Sequence, residues 1–222
     1  MAEQRKMDLP EILIMTSVEA EKDALERGLN GSTQFKVALT GVGPARAAAR
    51  TATELAEHSY RYVINAGIAG GFKDKAPVTS IVVASEIVAA DLGSESEEGF
   101  LPVDDLGLGQ ASIQTAQLFS SDLEQRLREN EETVTLAPIL TLATVTGTSK
   151  TTYALQQRFP IAAAEAMEGH GVATAAELAG IPVLEVRAIS NEIGPRNREA
   201  WKIKEALQAL ERVGRALTEV FS

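Results

Sequence analysis

Val37-Ala38-Leu39-Thr40-Gly41-Val42-Gly43-Pro44 leads into an alanine-rich run over residues 45–56 and then into Tyr62-Val63-Ile64-Asn65-Ala66-Gly67. The order is strand, glycine turn, helix, strand. Apolar and β-branched residues suit a pleated surface, glycine accepts the backbone of a tight turn, and alanine is the strongest helix former. Working outward, the unit repeats. Glu11-Ile12-Leu13-Ile14-Met15 reads as an earlier strand, with Thr16 or Ser17 capping a helix that starts near Val18. The strand opening at Tyr62 is expected to break at Gly67. Residues 80–84, 86–90 and 140–146 read as further β segments, and residues 149–157 and 168–179 as helices. The Gly180-Ile181-Pro182 break precedes a strand over 183–188, and one long helix fits residues 198–220.

Consecutive β-α-β units imply a three-layer α/β/α fold around a mixed, largely parallel twisted sheet. With no compositional break, residues 1–222 are expected to form a single domain, residues 1–10 being a flexible N-terminal extension. Residues 91–110, rich in glycine, proline and acidic side chains, read as a loop that is either functional, at a subunit contact, or merely solvated.

A chain of 222 residues with 45% hydrophobic and 23% charged residues has the profile of a folded globular protein. A formal net charge of -10 argues against nucleic acid as a partner, since that contact needs a clustered basic surface. The absence of cysteine removes disulfides and thiolate metal sites and suits a reducing cytoplasm. His58 and His170 are too far apart in sequence to suggest a metal motif. No apolar run is long enough to span a bilayer, and the expectation is a cytoplasmic protein with no metal or organic cofactor. The glycine spacing fits neither a Walker loop nor a dinucleotide fingerprint, so ATP and NAD are poorly supported.

Two segments of the last third carry the chemistry. Ala166-Met167-Glu168-Gly169 places a carboxylate at the start of a helix, and Arg187-Ala188-Ile189-Ser190-Asn191 ends a buried strand on a neutral amide. Met-Glu followed by Arg-Ala-Ile-Ser at this separation resembles the purine-nucleoside phosphorylase and nucleosidase superfamily. The resemblance implies that Glu168 accepts hydrogen bonds from both ribose hydroxyls, that Met167 packs on the sugar or base, and that the residue after the serine faces the purine. Many members carry aspartate there; this chain has Asn191. An amide cannot deliver a proton at neutral pH, but it can donate a hydrogen bond to N7 or O6, which points to a 6-oxopurine. The structural alternatives are a helix-start acid, a core methionine and a Ser-Asn turn.

Glu21 follows the first strand, where an open α/β sheet presents its ligand crevice. It aligns with the water-activating glutamate of the nucleosidases. Glu19, three residues after Thr16, reads instead as a capping-box acid. Asn65-Ala66-Gly67-Ile68-Ala69-Gly70-Gly71 resembles a loop of the superfamily in which a hydroxyl residue usually stands at the position of Ile68. Isoleucine cannot donate to phosphate, which favours attack by water over phosphorolysis. Ile68, Ala69 and Gly70 are candidates for contact with the base or the 5′ group.

Downstream, Gly194-Pro195-Arg196-Asn197-Arg198-Glu199-Ala200-Trp201 gives the chain its likeness to the futalosine hydrolase family, nucleosidases of menaquinone biosynthesis that release hypoxanthine from a 5′-modified inosine. Trp201 would cover the 5′ substituent, and Arg196 or Arg198 would meet the carboxylate that futalosine carries; a helix-entry charge and a core indole are the structural alternatives. Thr146-Gly147-Thr148-Ser149-Lys150 lacks the aromatic residue that adenine-specific relatives place against the purine, which leaves the stacking partner open. The resemblance also implies a homo-oligomer, dimer or higher. The rival readings are a methylthioadenosine/adenosylhomocysteine nucleosidase, a phosphate-dependent phosphorylase, and a noncatalytic purine-nucleoside sensor.

Overall fold

The computed structural model describes residues 10–97 and 99–221. The expected flexible extension, residues 1–10, therefore lies outside the described residues apart from Pro10. Among the described residues, ten strands and six α-helices follow in the order β1 (Ile12–Thr16), α1 (Glu19–Leu29), β2 (Phe35–Leu39), α2 (Pro44–Glu57), β3 (Tyr62–Gly71), β4 (Ile81–Ala89), β5 (Gly93–Ser96), β6 (Gly99–Pro102), β7 (Ser112–Gln114), α3 (Gln117–Glu129), β8 (Val134–Thr141), α4 (Ser149–Arg158), β9 (Ala164–Ala166), α5 (Gly169–Leu178), β10 (Val183–Glu192) and α6 (Ile203–Val220).

The main sheet is mixed and largely parallel. β1 pairs in parallel with β2 and β3, β3 with β10, β4 with β8 and β8 with β9, whereas β10–β4, β3–β9 and β4–β7 are antiparallel. The path β10-β4-β8-β9-β3 returns to β10. The sheet thus closes on itself instead of lying open, which the sequence reading did not anticipate. Closure depends on the short β9, which bridges β3 and β8, and on a β3 long enough to hold β1 along its first half and β9 at its end.

Alternation along β1 shows how the layers form. Ile12 and Ile14 enter a core shared with α1, α3 and α6, while Leu13 and Met15 face the opposite core, to which α2 and α5 contribute. All four are essentially free of solvent contact, as expected for a strand covered on both faces. The α1–α6 contact is close because Gly28 and Gly214 face each other: a Cβ on Gly28 would fall 2.0 Å from the Glu211 carbonyl oxygen and 3.0 Å from the Gly214 Cα. A third, smaller core under α4 gathers Phe72, Leu140, Leu155 and Ile193.

Several expected boundaries move. β3 does not break at Gly67 but runs on to Gly71, because β10 supplies partners along its length. Residues 81–89 form one strand with a register shift between Ala84 and Ile87, where two segments were expected. β8 begins at Val134 and ends at Thr141, so residues 142–146 leave the sheet. The final helix starts at Ile203; Arg198–Ala200 is a separate 3-10 turn, and Trp201 lies in the connection. Residues 91–110 contain the β5–β6 hairpin within the expected loop.

Candidate active site

Glu21 sits in the first turn of α1 and is 2% exposed. Its Oε2 accepts from Thr16 Oγ1 at 3.0 Å, the Ser17 amide at 3.0 Å, Ser17 Oγ at 2.6 Å and the Val18 amide at 3.2 Å. Its Oε1 accepts from the Ile68 amide at 2.8 Å. The helix cap is Val18, which has no side-chain acceptor, so Glu21 performs the capping expected of Glu19, which is exposed. The five donors compensate for burying the carboxylate, and Oε1, with one donor, retains acceptor capacity for a further proton.

Glu168 is the N-cap residue of α5 and is 5% exposed. Its Oε1 accepts from the Gly43 amide at 3.2 Å and its Oε2 from the Met167 amide at 3.3 Å. Gly43 is the residue before α2 and has φ +95°, a conformation that favours glycine and turns its N–H toward Glu168.

Between these carboxylates lies Arg187, which carried no role in the sequence reading. It is 1% exposed on β10. Its Nε donates to Glu185 Oε1 at 2.8 Å, its Nη1 lies 3.5 Å from Glu168 Oε2, and its Nη2 donates to Asn65 Oδ1. Asn65 is fixed in turn by donating from Nδ2 to the Met15 carbonyl at 2.9 Å. Burial opposes the guanidinium charge, but Glu185, Glu168 and Glu21 more than offset it, so its pKa is raised. Burial pushes the Glu185 carboxyl up, and Arg187 pulls it back only in part. A Cβ on Gly67 would fall 2.7 Å from Glu21 Oε1 and 2.8 Å from Arg187 Nη1, so glycine there leaves the space in which the two groups approach.

Asn191 stands at the end of β10, past a register shift that begins after Ile189. Its Oδ1 accepts from Ser190 Oγ at 2.8 Å and its Nδ2 donates to the Glu192 carbonyl at 3.0 Å. This leaves a second amide hydrogen for a ligand. A cavity of about 320 Å³ is lined by Asn191, Ile193, Gly194, Asn197 and Trp201 among others. The segment after β10 folds back on the site through the Lys202 amide, which donates to the Ser190 carbonyl at 2.8 Å.

The structure therefore brings Glu21, Ile68, Glu168 and Arg187 together, places Ala69, Gly70 and Asn191 along the adjoining strand ends, and sets Trp201, in the connection to α6, beside Asn191 in the lining of one cavity. Met167 is half-buried beside Glu168. Arg196 and Arg198 are exposed; Arg196 lies against the segment 146–148, since a Cβ on Gly147 would lie 3.6 Å from its Cγ, whereas Arg198 lines a surface depression with Trp201 and Lys204. His170 packs structurally: its amide donates to Thr141 Oγ1 at 2.9 Å, and burial lowers its pKa.

Sequence reasoning missed Glu165, Glu185 and the role of Arg187. The signal for the last two was present, as charged residues alternating within Val183-Leu184-Glu185-Val186-Arg187-Ala188, an otherwise apolar buried strand. No cluster of potential metal ligands occurs among the described residues, and no helix among them is long and apolar enough to cross a membrane.

Residues 9–222 match the family model of the phosphorylase superfamily. The chain is 45% identical to the futalosine hydrolase of Streptomyces coelicolor, over 90% of this chain and 91% of the relative. It is 41% identical to the futalosine hydrolase of Acidothermus cellulolyticus, over 92% of this chain and 89% of that one. Among solved structures, the futalosine hydrolase of Helicobacter pylori superposes with a TM-score of 0.83 at 16% identity, covering 96% of this chain and 99% of that one, a likeness of fold.

Proposed function

This chain belongs to the phosphorylase superfamily, and from that premise we infer that it cleaves the N-glycosidic bond of futalosine with water, giving hypoxanthine and dehypoxanthine futalosine in menaquinone biosynthesis. The substrate is a purine nucleoside and the enzyme an N-glycosidic nucleosidase, in keeping with the futalosine hydrolases it resembles across their length. The observation that carries the reading of the site is the pairing of a buried, five-donor Glu21 with a neutral Asn191 amide at the neighbouring strand end.

Glu168, oriented by Gly43, Met167 and Arg187, holds the ribose 2′ and 3′ hydroxyls; an ionised carboxylate is suited to two such donors. Met167 lies against the sugar. Glu21 orients water through Oε1 and takes its proton as the bond to C1′ forms. Cleavage leaves positive charge on the ribosyl ring and negative charge on the departing base, and Asn191 donates to N7 or O6 as that charge develops. Ile68, Ala69 and Gly70 flank the base or the 5′ group, Trp201 covers the 5′ substituent, and Arg196 or Arg198 meets its carboxylate. The protein is a single domain that works in the cytoplasm as a homo-oligomer.

Chromatography of futalosine, inosine and methylthioadenosine incubated with the protein, with and without phosphate, tests the reading. Hypoxanthine from futalosine in phosphate-free buffer is expected. Adenine from methylthioadenosine, or release that requires phosphate, would overturn it.

A further inference from the structure

Glu185 and Arg187 stand two residues apart on β10 and so share one face of the sheet, with Asn65 and Gly67 of β3 directly opposite them. The guanidinium is divided unequally among its neighbours. Its Nε donates to Glu185 Oε1 at 2.8 Å, the length of a charge-assisted bond, and its Nη2 donates to Asn65 Oδ1. Nη1, by contrast, stays 3.5 Å from Glu168 Oε2, beyond ordinary hydrogen-bond length.

That gap bears on what Glu168 has left to offer. An ionised carboxylate presents about four acceptor sites. The Gly43 and Met167 amides, at 3.2 and 3.3 Å, use two, and the remaining two match the two hydroxyls of a ribose. A guanidinium paired with a carboxylate favours a two-bond fork, which would take both. Nη1 is less than about 1 Å from bonding distance, so the pairing is within its reach unless the guanidinium is held elsewhere. Glu185 supplies that hold. Its carboxyl is fully buried, its Oε2 has no partner, and the bond from Nε is what offsets the burial of its charge. It has little freedom to follow the guanidinium, since it packs on the backbone of Gly169, where a Cβ would overlap it.

We propose that Glu185 is a positioning residue for the ribose site: by holding Nε it keeps the Arg187 guanidinium from closing on Glu168, and so leaves the Glu168 oxygens open to the 2′ and 3′ hydroxyls. This deepens, and rests on, the reading of Glu168 as the ribose-binding carboxylate. Arg187 then sets a positive charge near Glu168 without occupying its lone pairs. Glu185 itself touches no substrate and acts through Arg187 alone.

Glu185→Gln tests this, because the amide oxygen still accepts from Nε but, being neutral, holds it about half as strongly. Calorimetric titration with the two products separates ribose from base. Dehypoxanthine futalosine is expected to bind the variant about tenfold or more weakly than the wild type, the worth of one hydrogen bond to a charged group. Hypoxanthine, which does not meet Glu168, is expected to bind both within about twofold. Equal weakening of the two products would mark a merely structural role, and unchanged binding of both would mark no role; either result overturns the proposal. In the crystal structure of the unliganded variant, an Arg187 nitrogen is expected about 2.7–2.9 Å from Glu168, and an unchanged 3.5 Å spacing would overturn it. Should the variant fail to fold, the wild type bound to dehypoxanthine futalosine decides. Both hydroxyls are expected on Glu168 with Nη1 still outside bonding distance, and Nη1 bonded to Glu168 in their place would overturn the assignment. Failure of the wild type to bind dehypoxanthine futalosine would contradict the proposed reaction, while the Arg187 spacing in the variant would still decide what Glu185 does.

Discussion

Arg187 Nε donates to Glu185 Oε1 over 2.8 Å, with neither side chain more than 1% exposed. The pair lies on the face of β10 that meets α5, where the Glu185 carboxylate occupies the space in which a Cβ on Gly169 would stand, 2.3 Å from Oε2. The same guanidinium reaches Glu168 and Asn65. One buried cation thereby ties the proposed ribose-binding carboxylate to β10, the strand that carries Asn191 near its end.

Removing one member of such a pair strands the other's charge in the interior. Arg187→Leu is expected to destabilise the fold by about 3–5 kcal/mol, whereas Glu185→Leu combined with Arg187→Leu should cost less than Arg187→Leu alone. Urea unfolding of the three variants measures this; a double variant less stable than the single one would show that the pair itself is strongly stabilising.

Gly67→Ala introduces a Cβ between Glu21 and Arg187, 2.7 and 2.8 Å from their nearest atoms. Overpacking of this kind costs about 1–3 kcal/mol, and here the displaced group is the proposed water-orienting carboxylate. A fall in kcat with a smaller change in KM is the expected outcome. Unchanged kinetics would mean that Glu21 has room to move without loss.

The Glu165 carboxyl is raised by burial, so the native state holds its proton more tightly than the unfolded chain, in which a glutamate titrates near about 4.3. The stability this group contributes is therefore complete below that value and is lost as pH rises through the folded pKa. Subtracting the pH–stability curve of Glu165→Gln from that of the wild type should give a difference that declines across this interval. A flat difference would show that burial does not perturb the group.

Asn191→Asp places a carboxylate where Nδ2 now donates to the Glu192 carbonyl. Hypoxanthine release from futalosine is expected to fall by about tenfold or more, as for a lost hydrogen bond to developing charge, while adenine release from methylthioadenosine rises. Asn191→Ala should lower the first without raising the second. Near-wild-type turnover in both variants would remove Asn191 from the mechanism.

The α/β alternation was legible because it rests on local chemistry: the Val37–Pro44 stretch, the alanine run of α2 and the β-branched strands each declare themselves within a few residues. Closure of the sheet was not, since it depends on the three residues of β9, too few to show a period, and on pairings between strands far apart in sequence. Glu21, Glu168 and Asn191 stood out as polar residues at element ends. Glu165 did not, because its burial and its bond from the Thr146 amide arise only when β9 joins the folded sheet. The shift of the capping role from Glu19 to Glu21 has a similar origin: the cap is set by the helix starting one residue later than expected, at Glu19.

That capping geometry also frames the decisive comparison, the steady-state hydrolysis of futalosine by the wild type and by Glu21→Gln. Glutamine retains a carbonyl oxygen to accept the Ser17 and Val18 amides but is no base, so the variant should fold, bind the nucleoside and lose about 10²- to 10⁴-fold in kcat, the range for a positioned general base. Turnover within threefold of the wild type would contradict the assignment and leave Glu21 as a helix cap alone.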